Sequence, residues 1–279
     1  MTTQIKNWYK VTALTNLHVG SGDQNYGIID KLVQRDPLSQ FPVIHASSVK
    51  GALKEYCEAC DEIKQDDILK AFGDEENPGT EKFFSAHLLT LPIRSTIKPY
   101  LKGTCPFILK EVIEMLTVFD KSVGSKLYDG LKELSKLSFD EGVKFISFDD
   151  DVKDCLIEEY QIEDGNFTIE KSLFTAELKT FFDCTSKDFL LIRDDIFMEI
   201  CENLPVVARN RIGKKKNLWY EELVPRKAEF YFFYVGTQYG ESKTMDILVT
   251  KSKSGLPVQI GANATVGYGY CKIEKIQMP

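Results

Sequence analysis

Strands are predicted near both ends of this chain, with a helix directly after the second strand. That order restricts the fold more than any other feature of the sequence. Tyr9, Val11 and Ala13 alternate with Lys10, Thr12 and Leu14, and the run ends in the turn-rich His18-Val19-Gly20-Ser21-Gly22. A second strand is predicted over Ile28 to Gln34. Apolar residues at 49, 52, 53, 56, 57 and 60 follow Ser47-Ser48 and place Val49, Ala52, Leu53, Tyr56, Cys57 and Cys60 on one helical face. Helical patterning returns around Ile108 to Leu116, Lys126 to Leu137 and Asp188 to Asn203. Ala228 to Val235 is aromatic-rich and strand-like, and Gly261, Gly267 and Gly269 precede a closing strand in which Cys271 and Ile273 share a face. The whole reads as α+β rather than a doubly wound sheet.

At 279 residues the chain is near the upper size that one core can serve. A single domain over 1–279 is expected, with a mainly helical insertion at about 106–164 whose connections are acidic. The longest apolar runs, such as Phe230 to Val235, are strand-length and far short of the roughly 20 residues of a membrane helix. Met1 to Lys10 has no apolar signal-peptide core, so a cytoplasmic protein without a membrane partner is expected. Seven cysteines without regular spacing argue against a secreted disulfide framework.

The formal net charge of −7 conceals an uneven distribution. Acidic residues crowd Asp61 to Asp67, Asp74 to Glu76, Asp149 to Asp154 and Glu158 to Asp164. Arg209, Arg211, Lys214, Lys215 and Lys216 form one basic run followed by Trp219 and Tyr220. Cations beside aromatic faces suit nucleic-acid binding, and a lysine-rich turn with core aromatics has the same composition.

Several short constellations could carry chemistry. Ser47-Ser48-Val49-Lys50-Gly51 places a capping Ser and a lysine at a helix N-terminus, where free backbone N–H groups bind phosphate. The loops Gly20-Ser21-Gly22 and Gly261 to Gly269 would let main-chain donors approach a phosphate backbone, although glycine also serves ordinary turns. Cys57-Glu58-Ala59-Cys60 has the spacing of half a zinc site, but no second pair follows and both sulfurs lie on the apolar face. His18, His45 and His87 show no metal-binding spacing. Asp30 follows an apolar stretch close to a glycine-rich turn, which suits either a catalytic carboxylate or a turn cap.

Four collinear segments tie these features together. They are Leu17 to Gly22 with Gly27-Ile28-Ile29-Asp30 and Gln34-Arg35-Asp36; Pro42 to Leu53; Phe84 to Ser95; and Asn217-Leu218-Trp219-Tyr220-Glu221-Glu222 with Gln259 to Gly269. In these segments the chain resembles the RAMP proteins of CRISPR effectors, most closely the multi-copy backbone subunits of type III-B Cmr complexes. It departs from their usual pattern at His45-Ala46, Ser85, Ala262 and Ala264.

The resemblance implies a ferredoxin-like core related to the RNA-recognition motif, with a β-hairpin thumb at about 205–226. It implies copies stacked as a filament along crRNA, other Cmr-type subunits as partners, and cleavage of complementary target RNA. On the same ground Asp30 is the catalytic carboxylate, as base or as ligand of a transient Mg²⁺ or other divalent cation, with His18 and Glu221 as neighbours. Gly20, Ser21, Gly22, Ser47, Ser48, Lys50, Arg209, Arg211, Lys214, Lys215, Lys216, Trp219, Gly261, Gly267 and Gly269 are the implied RNA contacts. Three other readings remain open at this point: a non-catalytic crRNA-binding scaffold, a RAMP endonuclease that processes repeat RNA, and a generic nucleotide-binding protein.

Overall fold

The computed structural model describes residues 4–22, 27–119, 125–150, 155–163, 167–211, 217–237, 243–253 and 256–276. The chain folds into two compact units. One holds the chain up to Leu88 together with Asn203–Ile276, and the other holds Leu89–Glu202.

The first unit opens with β1 (Gln4–Ala13), a short β2 (Val43–Ile44) and α1 (Ala46–Glu58), followed by α2 (Gln65–Phe72) and β3 (Lys82–Phe83). Strand β4 (Ala86–Ile93) carries the chain into the second unit. There β5 (Leu101–Thr104) precedes α3 (Pro106–Phe119) and α4 (Lys126–Ser135). Four short strands come next, β6 (Phe145–Ser147), β7 (Leu156–Ile157), β8 (Tyr160–Gln161) and β9 (Phe167–Ile169). Helix α5 (Ala176–Phe182), strand β10 (Phe189–Ile192) and helix α6 (Asp194–Glu202) complete that unit. The chain then returns through β11 (Val206–Arg211), β12 (Asn217–Glu222), β13 (Glu229–Thr237), α7 (Lys243–Lys253), β14 (Val258–Gln259) and β15 (Tyr270–Lys275). None of the helices is long and apolar enough to cross a membrane, among the described residues.

In the first unit β1 lies between β13 and β15, antiparallel to both, and β14 pairs with the outer edge of β15. The alternation in β1 places Tyr9, Val11 and Ala13 in the core, where Tyr9 stacks on Phe232 at 5.3 Å. The opposite face is also covered: Trp8 stacks on Tyr231, and Lys10 is buried against Glu229 at 3.6 Å. In the second unit β5 runs parallel to β10, which pairs antiparallel with β6. Phe148, Phe174, Phe182 and Phe189 pack there with ring centroids as close as 4.5 Å.

The α+β expectation holds, and particular elements differ. Ile28 to Gln34 forms no continuous strand, because its bridges change partner along the segment: Lys31 to Glu221, Val33 to Gly20, and then Arg35 to Pro42. The stretch predicted as helix from Asp188 begins instead with β10, four wholly buried apolar residues, and α6 starts only at Asp194. Neither Ser47 nor Ser48 caps α1. His45 holds the N-cap position without a side-chain bond, and Ser85 Oγ accepts the Ala46 N–H at 3.1 Å instead. Cys57 and Cys60 are buried free thiols, and burial pushes the Cys57 thiol up to about 12.

Candidate functional site

The segment after β1 is tied down residue by residue. Leu17 exchanges two backbone hydrogen bonds of 2.9 Å with Val224, Ser21 donates to Leu32 O, and Gln34 donates to Val19 O. The Gln34 side chain then joins three elements. Its Nε2 donates to Gly20 O at 3.2 Å and Ser48 Oγ at 3.1 Å, and its Oε1 accepts the His45 N–H at 2.8 Å. Gln34 is 8% exposed, so these bonds are partly shielded from water and fix the Gly20 turn against the first turn of α1. Lys50 lies one turn further into that helix.

The Gly261 to Gly269 loop docks on the same segment. Gly261 has φ +86°, and a Cβ there would stand 2.5 Å from His18 O, so only glycine permits the approach. Ala262 N–H donates to His18 O at 2.9 Å, and Gly269 N–H donates to Asn16 O at 2.9 Å. Gly267 also has a left-handed backbone, but a Cβ added there would meet nothing within 4 Å.

Strands β11 and β12 form an antiparallel ribbon in which Arg209 faces Trp219 and Val207 faces Glu221. Glu221 is wholly buried and is the hub of this face. Its Oε1 accepts from Trp219 Nε1 at 2.6 Å and Lys31 Nζ at 3.0 Å, while Oε2 accepts from Asn263 Nδ2 at 2.9 Å. Arg209 Nη1 lies 3.5 Å from the same carboxylate. Burial alone would raise the Glu221 pKa, but the Trp219 and Lys31 hydrogen bonds and the Lys31 and Arg209 charges outweigh it and hold the carboxyl below its ordinary value. The cations also cover aromatic rings, Lys31 over Trp219 at 5.1 Å and Arg209 over Tyr268 at 5.3 Å.

Asp30 is exposed and sits against this ribbon. Its Oδ2 accepts the Tyr220 N–H at 2.8 Å, and Oδ1 has no partner among the described residues. The next residue is held by main-chain bonds from Lys31 N–H to Tyr220 O and from Glu222 N–H to Lys31 O. Glu222, 2% exposed, completes the lock: its carboxylate accepts from Val33 N–H at 3.0 Å and Arg35 Nη2 at 2.5 Å, and its carbonyl accepts from His18 Nδ1 at 2.7 Å.

The structure therefore brings His18, Gly20, Ser21, Asp30, Ser48, Trp219, Arg209, Glu221 and Gly261 into one hydrogen-bonded assembly within the first unit. Gly22, Ser47, Lys50, Gly267 and Gly269 belong to the same loops and helix turn. Lys214, Lys215 and Lys216, together with the Arg211 side chain, lie outside the described residues. Sequence reasoning passed over Lys31, Gln34, Glu222 and Asn263. Of these, Asn263 carries a mark in sequence, an Asn within a glycine-rich loop, a residue type enriched in the left-handed backbone that it adopts at φ +67°. No group of three or more His, Cys, Asp or Glu residues could hold a metal ion, among the described residues.

The profile of the RAMP superfamily matches residues 10–272. The chain is 28% identical over 281 residues to the CRISPR system Cmr endoribonuclease Cmr4 of Pyrococcus furiosus, covering 93% of this chain and 92% of that one. It is 24% identical over 294 residues to the CRISPR system CMR subunit Cmr4 of Saccharolobus solfataricus, with 94% of each covered. A chain in the cryo-EM structure of type III-B Cmr-beta bound to cognate target RNA superposes with a TM-score of 0.76 at 28% identity over 97% of both chains. The apo state of Cmr-beta gives 0.79 at 26% identity over 98% of both.

Proposed function

Because the chain belongs to the RAMP superfamily, we propose that it is the repeated backbone subunit of a type III-B effector, which holds crRNA along a filament of its own copies and cuts the paired target RNA. The P. furiosus relative named a Cmr endoribonuclease and the Cmr-beta chain solved with target RNA support this reading. One observation carries it furthest: an exposed carboxylate, Asp30, with one oxygen pinned to the ribbon and the other open, in the assembly where both glycine loops and the start of α1 converge.

In the proposed reaction the ribbon displaces a target nucleotide and releases the A-form geometry that keeps each 2′-oxygen out of line with its phosphate. The 2′-oxygen bonds to phosphorus as the bond to the 5′-oxygen breaks. The 2′-hydroxyl proton passes to Asp30, the 5′-oxygen takes a proton from solvent, and the products are a 2′,3′-cyclic phosphate and a 5′-hydroxyl. The Tyr220 N–H orients the carboxylate, and Glu222 and His18 hold the surrounding segments in place. Were Asp30 to serve as a metal ligand instead of the base, it would be the single protein ligand of a divalent cation, with phosphate oxygens and water as the rest, a mode usual for Mg²⁺, and the cation would supply positive charge against a phosphorane.

The test is to isolate the chain with its partner subunits, sequence the RNA that copurifies, and add labelled RNA complementary to it. Regularly spaced cuts that require both guide and complementary target are expected. Capture of target without cutting, or cutting of precursor repeat RNA by the chain alone, would contradict the proposal.

A further inference from the structure

Two cations share one carboxylate beside Asp30. Lys31 and Arg209 both face Glu221, whose side chain is wholly buried, while the side chain of Lys31 is 51% exposed and that of Arg209 is 21% exposed. Glu221 alone cannot neutralise both cations, and with the neighbouring Asp30 carboxylate the four side chains sum to no net charge, so two cations and one open carboxylate lie together on this surface. Glu221 takes one donor direction of the Lys31 ammonium, which has three, and the Trp219 ring lies beneath it. The Lys31 side chain as a whole is half exposed. Asp30 and Lys31 are neighbours in the chain, yet both side chains reach β12, one at the Tyr220 N–H and the other at the Glu221 carboxylate. An open carboxylate oxygen and a held ammonium thus belong to side chains that meet β12 at adjacent residues.

From this arrangement, and resting on the reading of Asp30 above, we infer that Lys31 contacts the scissile phosphate, donating to a non-bridging oxygen and stabilising the charge that builds there during cleavage. Glu221 is then a positioning residue, which aims the ammonium and keeps the long lysine side chain from sampling other rotamers. No proton leaves Lys31 in this role. The contact strengthens as negative charge accumulates on the phosphorane, so it acts on rate more than on binding. Arg209, paired with the same carboxylate and laid over Tyr268, supplies the second positive charge along the backbone path.

The test uses the assembled complex carrying guide RNA, with wild type, Lys31→Met, Lys31→Arg and Asp30→Asn compared in single-turnover cleavage and in target binding. Lys31→Met is expected to slow cleavage by about 10- to 100-fold, less than an enclosed oxyanion donor because the group is half exposed. Target affinity should stay within about twofold, and Lys31→Arg, which restores the charge but not the ammonium's shape over Trp219, should recover part of the rate. Replacing a non-bridging oxygen of the scissile phosphate by sulfur should slow wild type more than Lys31→Met. Cleavage by Lys31→Met at the wild-type rate, a loss explained by weaker binding, or an unchanged sulfur effect would overturn the inference if Asp30→Asn is inactive. Equal cutting by wild type and Asp30→Asn would instead overturn the reading on which it rests.

Discussion

Substituting Glu222 by Ala should loosen the first unit more than any other single change at the site. The side chain is 2% exposed and satisfies a backbone N–H at Val33 and the Arg35 guanidinium. Removing one partner of a buried ion pair typically destabilises by about 3–5 kcal/mol, and leaving a buried N–H without an acceptor by about 1–3 kcal/mol. Arg35 keeps a bond to Gln40 O and its side chain is 18% exposed, so part of its charge can turn to water. The combined loss should be about 3–4 kcal/mol, a large share of the roughly 5–15 kcal/mol that separates folded from unfolded domains. At about 2–4 °C per kcal/mol, Tm should fall by roughly 6–16 °C. Glu222→Gln keeps an acceptor for Val33 and should lose less than half as much. Both tryptophans, Trp8 and Trp219, belong to the first unit, so urea unfolding followed by their fluorescence reports on that unit. A change below about 0.5 kcal/mol for Glu222→Ala, within the range of ordinary surface substitutions, would refute the buried carboxylate lock.

Three further outcomes are expected. Glu221 has a depressed folded pKa, so its stabilisation is complete above the ordinary carboxylate value of 4.5 and is lost as pH falls through the lower folded value. Acid titration of Trp219 fluorescence in a Trp8→Phe background should show a transition below 4.5 that Glu221→Gln removes; a midpoint at or above 4.5 would contradict the assignment. Gly261→Ala should weaken guide binding and stability more than Gly267→Ala, because both residues have a left-handed backbone but only the Gly261 Cβ meets the His18 carbonyl. Equal effects would refute the docked loop. Lys50→Ala, and separately removal of charge at Lys214, Lys215 and Lys216, should flatten the salt dependence of single-stranded RNA binding by about 0.7 log units per lost phosphate contact. Unchanged slopes would exclude direct contact.

The elements legible in the sequence were those with a clean period. Val49, Leu53 and Cys57 line the buried face of α1 as their spacing requires, and Tyr9, Val11 and Ala13 alternate into the core. Phe189 to Ile192 was misread because four consecutive apolar residues fit a buried strand and a buried helix turn equally well. Helices α2 and α5 escaped notice because eight and seven residues repeat the helical period too few times, and α7 because its periodicity is weak. At the site, individual loops could be recognised but their connections could not. Glu222 to Val33, Gln34 to Ser48 and Asn263 to Glu221 each join residues far apart in the chain through one side chain, and no local pattern marks such a partner. Glu221 entered as a neighbour of Asp30 through the family resemblance alone; its burial among four polar partners depends on tertiary structure.

The most direct measurement is cleavage of complementary RNA by complexes assembled with wild type or with Asp30→Asn. Asparagine keeps an oxygen to accept the Tyr220 N–H, so the loop should stay in place while the charge is removed. Guide content and target affinity should match between the two complexes. Losing a general base commonly lowers a rate by about 10² to 10⁴, so the variant should produce almost none of the regular fragments made by wild type in the presence of Mg²⁺. A variant complex that binds equally and yields the same fragments at the same rate would show that the chemistry lies elsewhere.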